Sequence, residues 1–297
     1  MSEGWFNAGG VRIAVRDHGG IGPDLVLLHG IGGNLETMEP FAERLRDAHR
    51  VVAIDLPGCG GSGPFEDHSG DPFGAMAAVV RGVVDALCLD EPDVLGHSLG
   101  GMVAARYTAI YARRRQRGRL VSIDGFPPGR LVVADTEGRS LHRDWLLGVR
   151  RELEALTADP IAADEVSRDE MADGLRAWLV AVGFTPPNLD AVVARQFVEE
   201  GDGMFRRRPD RSIVEEGFAA AHRDVLADYR SATAATLIVR CTGWAPPPID
   251  VDLADLEANR SGVEVARFDG SHLAPAWENV DEVTDLIRSF WRRHPRG

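Results

Sequence analysis

Three short clusters in this 297-residue chain combine residue types that can do chemistry. The first is Gly96-His97-Ser98-Leu99-Gly100, set between an apolar run at Asp93–Gly96 and a stretch with helical spacing at Leu99–Tyr111. Small residues on both sides of the serine let the backbone reverse sharply and push Oγ outward. The helix that follows brings its N-terminal N–H groups close to any negative charge that develops there. A serine helix cap after a glycine turn is the plainer alternative, and the strand–turn–helix setting favours a nucleophile. The second cluster is His29-Gly30-Ile31-Gly32-Gly33, directly after the apolar run Leu25–Leu28. Such a loop lets a backbone N–H approach a substrate oxygen, so the N–H groups of Ile31 and Leu99 are the candidate oxyanion donors. His29 and Gly30 are candidate substrate contacts. The third cluster is Gly270-Ser271-His272, which follows the last strand pattern and supplies a general base for Ser98.

These residues need elements to hold them, and the hydrophobic pattern provides them. Val11–Val15, Leu25–Leu28, Val51–Ile54, Asp93–Gly96 and Leu120–Ile123 read as strands. Glu36–Ala48, Phe73–Leu87 and Leu99–Tyr111 read as the helices between them. This alternation predicts an α/β fold with a mostly parallel central sheet flanked by helices. The pattern breaks at Pro127-Pro128-Gly129. From about 130 to 230 only helical spacing is evident, at Leu141–Leu156, Val166–Val182, Leu189–Val198 and Ile213–Tyr229, with no convincing strand. Strand and helix patterns then resume at Leu237–Val239, Val251–Asn259, Val263–Phe268 and Val280–Trp291. The expected division is a core of 1–126 and 233–297 with a helical insertion at 127–232.

Composition removes several classes of function. All 33 basic residues are arginine, so no lysine is available for a Schiff base or a P-loop. The net charge of −13 disfavours nucleic acid as a partner. Three scattered cysteines, Cys59, Cys88 and Cys241, predict neither a disulfide framework nor a zinc site, and no cofactor is expected. The start lacks a secretory pattern and no apolar run reaches membrane-spanning length, so a cytoplasmic protein with no membrane partner is expected. His18, His49, His68, His142, His222 and His294 are expected at the surface. Arg113–Arg117 is expected to end a helix. Arg206-Arg207-Arg208 is expected in a solvated loop, with binding of an anionic substrate as the alternative. Trp145, Trp178 and Phe218 have core spacing, whereas Trp244 is a candidate pocket wall.

Together these motifs resemble the α/β-hydrolase superfamily. His29-Gly30-Ile31-Gly32 is similar to its oxyanion loop, Asp55-Leu56-Pro57-Gly58-Cys59-Gly60-Gly61-Ser62 to its D-x-P-G-x-G-x-S loop, and Gly96–Gly101 to its nucleophile elbow. Gly270-Ser271-His272 is similar to its terminal histidine loop. The resemblance implies an α/β-hydrolase fold whose helical insertion is a cap, and a Ser98–His272 pair completed by an acid. One departure concerns that acid. The family usually places it just past the strand after the cap, but here that strand runs into Cys241-Thr242-Gly243-Trp244 and three prolines. Asp124, at the end of the strand before the cap, is the favoured acid, as in some relatives; Asp250 or Asp252, and then no acid at all, are the alternatives. Adjacent strand ends lie only about 5 Å apart, so either strand could serve one imidazole.

The resemblance implies a serine hydrolase that cleaves a small-to-medium ester, lactone or thioester. A serine at the elbow argues against the dehalogenase and epoxide-hydrolase branches, which use aspartate. A hydrolase of carbon–carbon bonds would use the same Ser/His pair. A non-catalytic ligand-binding relative is a third reading, because fold alone does not fix function.

Overall fold

In a computed structural model of the protein, the described residues are 1–66, 70–111, 118–126, 161–162, 167–181, 183–201, 204–219, 225–243, 248–272 and 277–296. The chain begins with β1 (Ser2–Ala8) and β2 (Val11–Gly19), an antiparallel hairpin in which Ala8 pairs with Val11. Gly9 and Gly10 form the two-residue turn, with φ of 63° and 86°. Positive φ at both turn positions gives the twist that joins antiparallel strands, and glycine adopts it without strain. β1 was not among the expected strands, although Gly9-Gly10 is its signal.

β3 (Asp24–Leu28), α1 (Glu39–Leu45), β4 (Arg50–Ile54), α2 (Pro72–Ala86), β5 (Asp93–His97), α3 (Leu99–Tyr111) and β6 (Leu120–Ile123) follow. A 3-10 turn at Leu35–Met38 precedes α1, so the single helix expected over Glu36–Ala48 is a short helix led by a tighter turn. Asp71 caps α2 by accepting from the Gly74 N–H at 2.8 Å, and Pro72 occupies the first turn, where its missing N–H costs nothing.

The 127–232 segment contains β7 (Ile161–Ala162), α4 (Arg168–Ala181), α5 (Leu189–Ala194), β8 (Phe197–Gly201), β9 (Met204–Arg207), α6 (Arg211–Ala219) and α7 (Val225–Ser231). This corrects the expectation of helices alone. A small antiparallel sheet, ordered β7-β9-β8, sits within the segment. The helical spacing over Leu189–Val198 misled because its apolar residues serve two elements: Val192 and Val193 belong to α5, and Val198 to β8. Within the expected helix at Ile213–Tyr229 the described residues belong to α6 and α7, and 220–224 lie outside them. Leu141–Leu156, Arg113–Arg117, His68, His142, His222, Trp145 and Trp244 lie outside the described residues.

β10 (Thr236–Cys241), α8 (Pro248–Asn259), β11 (Val263–Phe268) and α9 (Val280–Arg293) complete the chain. The main sheet has eight strands in the order β1-β2-β4-β3-β5-β6-β10-β11. Apart from the antiparallel β1–β2 and β2–β4 pairs, its neighbours run parallel. Both faces are covered, which explains the apolar runs Leu25–Leu28 of β3 and Val51–Ile54 of β4. Val26, Leu28, Val52 and Ile54 pack with Phe73 and Val103 on one face. Leu25, Leu27, Val51 and Ala53 pack with Phe41 and Phe290 on the other. β3 lies between β4 and β5, so the chain changes direction there, and crevices of parallel sheets open at such switch points beyond the carboxyl ends of the strands. His29, Ser98 and Asp124 all stand at carboxyl ends of parallel strands, on one edge. No described helix is long and apolar enough to cross a membrane.

Candidate active site

Ser98 occupies the turn between β5 and α3 with φ of 52°, a left-handed conformation that a serine adopts only under constraint. Its N–H donates to the Ile123 carbonyl at 2.8 Å, and its carbonyl accepts from Gly101 and Met102. The neighbouring glycines make the turn fit. A Cβ at Gly96 would lie 2.1 Å from the Gly100 carbonyl oxygen, and one at Gly100 would lie 2.2 Å from that of Leu28. α3 begins at Leu99, so the Leu99 N–H has no acceptor within the helix.

The His272 Nε2 lies 2.9 Å from the Ser98 Oγ. Its Nδ1 lies 3.0 Å from Oδ2 of Asp124. The carboxylate can only accept, so Nδ1 carries the proton and Nε2 accepts from the serine hydroxyl. Asp124 is 1% exposed and also has a positive φ, of 50°. Its backbone N–H donates to Val239 at 2.8 Å, and its Oδ1 accepts from the Cys241 N–H at 3.0 Å. Thus β10, lying between β6 and β11, holds the carboxylate that His272 meets from beyond β11. Asp250 and Asp252 are instead part of α8, and Asp250 faces the guanidinium groups of Arg240 and Arg267 at 3.5 and 3.9 Å. The nearby Cys241 thiol is pushed up by burial and by Asp124.

His97 supports this arrangement, a role not legible in the sequence because the position is unconstrained in the motif. Its Nε2–H donates to the His272 carbonyl at 2.8 Å, and the two rings lie 4.9 Å apart. Burial, reinforced by His272, brings its pKa down to about 3, so the ring stays neutral and acts as a fixed donor.

The Gly30–Gly33 segment forms a turn closed by the Gly33 N–H on the Gly30 carbonyl at 3.0 Å, with Gly32 at φ of 75°. A Cβ at Gly30 would lie 3.2 Å from the Ser98 Cβ, which places this turn against the nucleophile. His29 is fully enclosed. Its Nδ1 donates to the Gly30 carbonyl at 2.8 Å and its Nε2 accepts from the Leu56 N–H at 3.0 Å. Both ring nitrogens of His29, an expected substrate contact, are thus engaged within the chain.

The insertion is tied to the same loops. Gln196 Nε2 donates to the Gly32 carbonyl at 2.7 Å, and Asn34 donates to the Val192 carbonyl at 3.0 Å. Arg195 reaches Asp55 at 2.7 Å and Glu3 at 2.8 Å, while Asp55 accepts from Leu35 N–H at 2.7 Å and Gly61 N–H at 2.8 Å. The expectation of solvated arginines at 206–208 is corrected for two of the three. Arg208 is 6% exposed, pairs with Asp210 and donates to the Ser62 carbonyl. Arg207 lies 6.0 Å from the Phe197 ring, and burial lowers its pKa to about 10. Arg207 is the last residue of β9, in a packed sheet, and Arg208 directly follows it. His18 and His49, expected at the surface, are also buried.

A sequence model described as the Alpha/beta hydrolase family matches residues 25–286. The chain is 36% identical over 184 residues to a dihydrolipoyllysine-residue acetyltransferase component of the acetoin cleaving system from Cupriavidus necator, covering 59% of this chain and 47% of that protein. It is 30% identical over 168 residues to a pimeloyl-[acyl-carrier protein] methyl ester esterase from Aeromonas salmonicida, covering 54% and 62%. The chain thus spans about half the length of these two curated relatives. Among solved structures, E-2-(acetamidomethylene)succinate hydrolase superposes with a TM-score of 0.73 at 20% identity, over 98% of this chain and 99% of that one, a likeness of fold.

Proposed function

The chain belongs to the alpha/beta hydrolase family, and from that premise we propose that it hydrolyses a small-to-medium ester, lactone or thioester through an acyl-enzyme on Ser98. The observation that carries this reading is the 2.9 Å contact between the Ser98 Oγ and an imidazole whose far nitrogen meets a buried carboxylate. The Ser98 Oγ attacks the substrate carbonyl carbon while its proton passes to the His272 Nε2. Asp124 stabilises the imidazolium and keeps Nδ1 protonated. The N–H groups of Ile31 and Leu99 take the charge on the carbonyl oxygen. Collapse of the intermediate breaks the bond to the leaving group, which departs with the proton from Nε2. Water then attacks the acyl-enzyme by the same route in reverse, releasing the acid. The 127–232 insertion acts as a cap that excludes bulk water and selects the acyl chain. The esterase activity in the name of the Aeromonas relative supports an ester among the possible substrates.

The test uses a fluorophosphonate probe and a panel of aryl esters, lactones and thioesters on wild type and Ser98→Ala. Labelling and turnover in wild type, with loss of labelling and a drop of several orders of magnitude in kcat for Ser98→Ala, are expected. The substitution removes one hydroxyl, so the melting temperature should hardly change. Undiminished hydrolysis by purified Ser98→Ala would refute the reading, and a wild type that neither labels nor turns over would indicate a ligand binder. Dienoic diketone acids assayed alongside would reveal carbon–carbon bond cleavage by the same residues.

A further inference from the structure

We propose that His29 is a positioning residue that aims the Ile31 N–H at the reacting oxygen by holding the Gly30 carbonyl in one direction. The inference rests on the reading of Ile31 as an oxyanion donor. The Gly30 carbonyl and the Ile31 N–H belong to one planar trans peptide, so the oxygen and the hydrogen point opposite ways. Whatever fixes the carbonyl therefore fixes the N–H. Two donors fix it: His29 Nδ1–H at 2.8 Å and Gly33 N–H at 3.0 Å. The first requires one specific tautomer, and the structure enforces it. The Leu56 N–H donates to His29 Nε2 at 3.0 Å, so Nε2 is the acceptor and Nδ1 holds the proton. The side chain is 0% exposed, and burial lowers its pKa, so the imidazole remains neutral with Nε2 open to that donor.

The peptide plane needs such a hold because glycine at 30 leaves its own backbone free to rotate. Glycine suits the crowding there, since a Cβ would lie 3.2 Å from both the Ser98 Cβ and the His97 Nδ1. The close approach that admits the nucleophile thus removes the side chain that would restrict the backbone, and the histidine one residue earlier compensates. The same segment of chain anchors both ends of the loop: Leu56 through His29, and Asp55 through the Leu35 N–H at 2.7 Å. The histidine touches no reacting atom in this account and acts only through the Gly30–Ile31 peptide.

Two substitutions separate positioning from simple support. His29→Asn keeps a donor at the Nδ1 position for the Gly30 carbonyl and loses the acceptor for Leu56. His29→Gln keeps an acceptor near the Nε2 position and loses the donor to Gly30. Each leaves one buried partner unpaired, so a merely structural role would weaken both alike. The readout is the ratio of turnover of an ester to that of its thionoester, whose sulfur gains less from oxyanion donors. For His29→Gln, we expect ester kcat to fall by about 100-fold, as for loss of one oxyanion donor, with KM little changed and the ester-to-thionoester ratio collapsing. For His29→Asn the ratio should stay near that of wild type. An unchanged ratio in His29→Gln, or an equal collapse in both variants, would overturn the proposal. Nitrogen-15 spectra of the wild-type imidazoles supply a check independent of turnover: His29 should be neutral with its proton on Nδ1, and a proton on Nε2 would overturn the proposal even if the protein hydrolyses nothing. Absence of Ser98-dependent turnover on every ester would instead count against the function proposed above.

Discussion

At Asp124 the two carboxylate oxygens divide their work: one accepts from the Cys241 backbone and the other from His272. Replacing the carboxylate with an amide keeps the shape but offers an N–H where an acceptor is needed, which favours the wrong imidazole tautomer. Asp124→Asn is expected to lower kcat by about ten-thousand-fold, as the same change does in the serine-protease triad. Asp250→Asn, beside Arg240 and Arg267, should change kcat by less than about 10-fold, a limit that full steady-state kinetics on all three proteins would check. The serine, the histidine and the glycine loops were legible in the sequence because each has a local signature. The acid has no such local signature: only the resemblance favoured Asp124 over Asp250 and Asp252, and it is packing that brings Asp124 to 3.0 Å from His272.

Among the elements, α3 and α4 make opposite demands on glycine. Alanine in place of glycine inside a helix ordinarily stabilises by about 0.5–1 kcal/mol. Gly174 in α4 has nothing within 4 Å of the position its Cβ would take, so Gly174→Ala should give that gain. Gly100 in α3 is wedged against β3, where a Cβ would meet backbone oxygens of Leu28 and His29 at 2.2 and 2.6 Å. Gly100→Ala should therefore destabilise by about 1–3 kcal/mol despite the better helix propensity, the scale of an overpacked core. Urea titrations of the two variants would check both signs. Core strands such as β3 and β4 were legible because burial on both faces gives the apolar runs Leu25–Leu28 and Val51–Ile54. The β7-β9-β8 sheet was not, since its strands are short and mix Phe197, Val198, Phe205 and charged residues in a pattern that also fits a helix.

For the whole molecule, three buried histidines link folding to pH. Burial lowers His97 to about 3 and His18 to about 4, and it lowers His29 as well. In the unfolded chain each titrates near 6.5. Below that pH the unfolded state takes up protons that the folded state refuses, so stability falls as pH drops from about 6.5 toward 4. The loss flattens only where the folded histidines also protonate. Each refused proton costs on the order of 1 kcal/mol per pH unit. The lowered carboxylates, Asp93 and Glu3 among them, lose their stabilising charge only at lower pH. Unfolding midpoints measured from pH 7 to 4.5 should fall before the carboxylate range is reached, and a flat profile from 7 to 5 would contradict this.

The sequence by itself determined the features that depend on neighbours in the chain: apolar runs that must be buried, glycine turns that must be tight, and a serine that must stand out from its turn. It also removed lysine chemistry outright, with 33 basic residues all arginine. The tertiary structure decided what depends on strands brought together from distant parts of the chain. Placing β10 between β6 and β11 set Asp124 3.0 Å from His272, 148 residues away. Laying the end of β3 beside the start of α3 enclosed His29, so that both its ring nitrogens meet partners within the chain. Side-chain type is written locally, but a hydrogen bond needs a partner at about 3 Å, and for these residues that partner is supplied by packing.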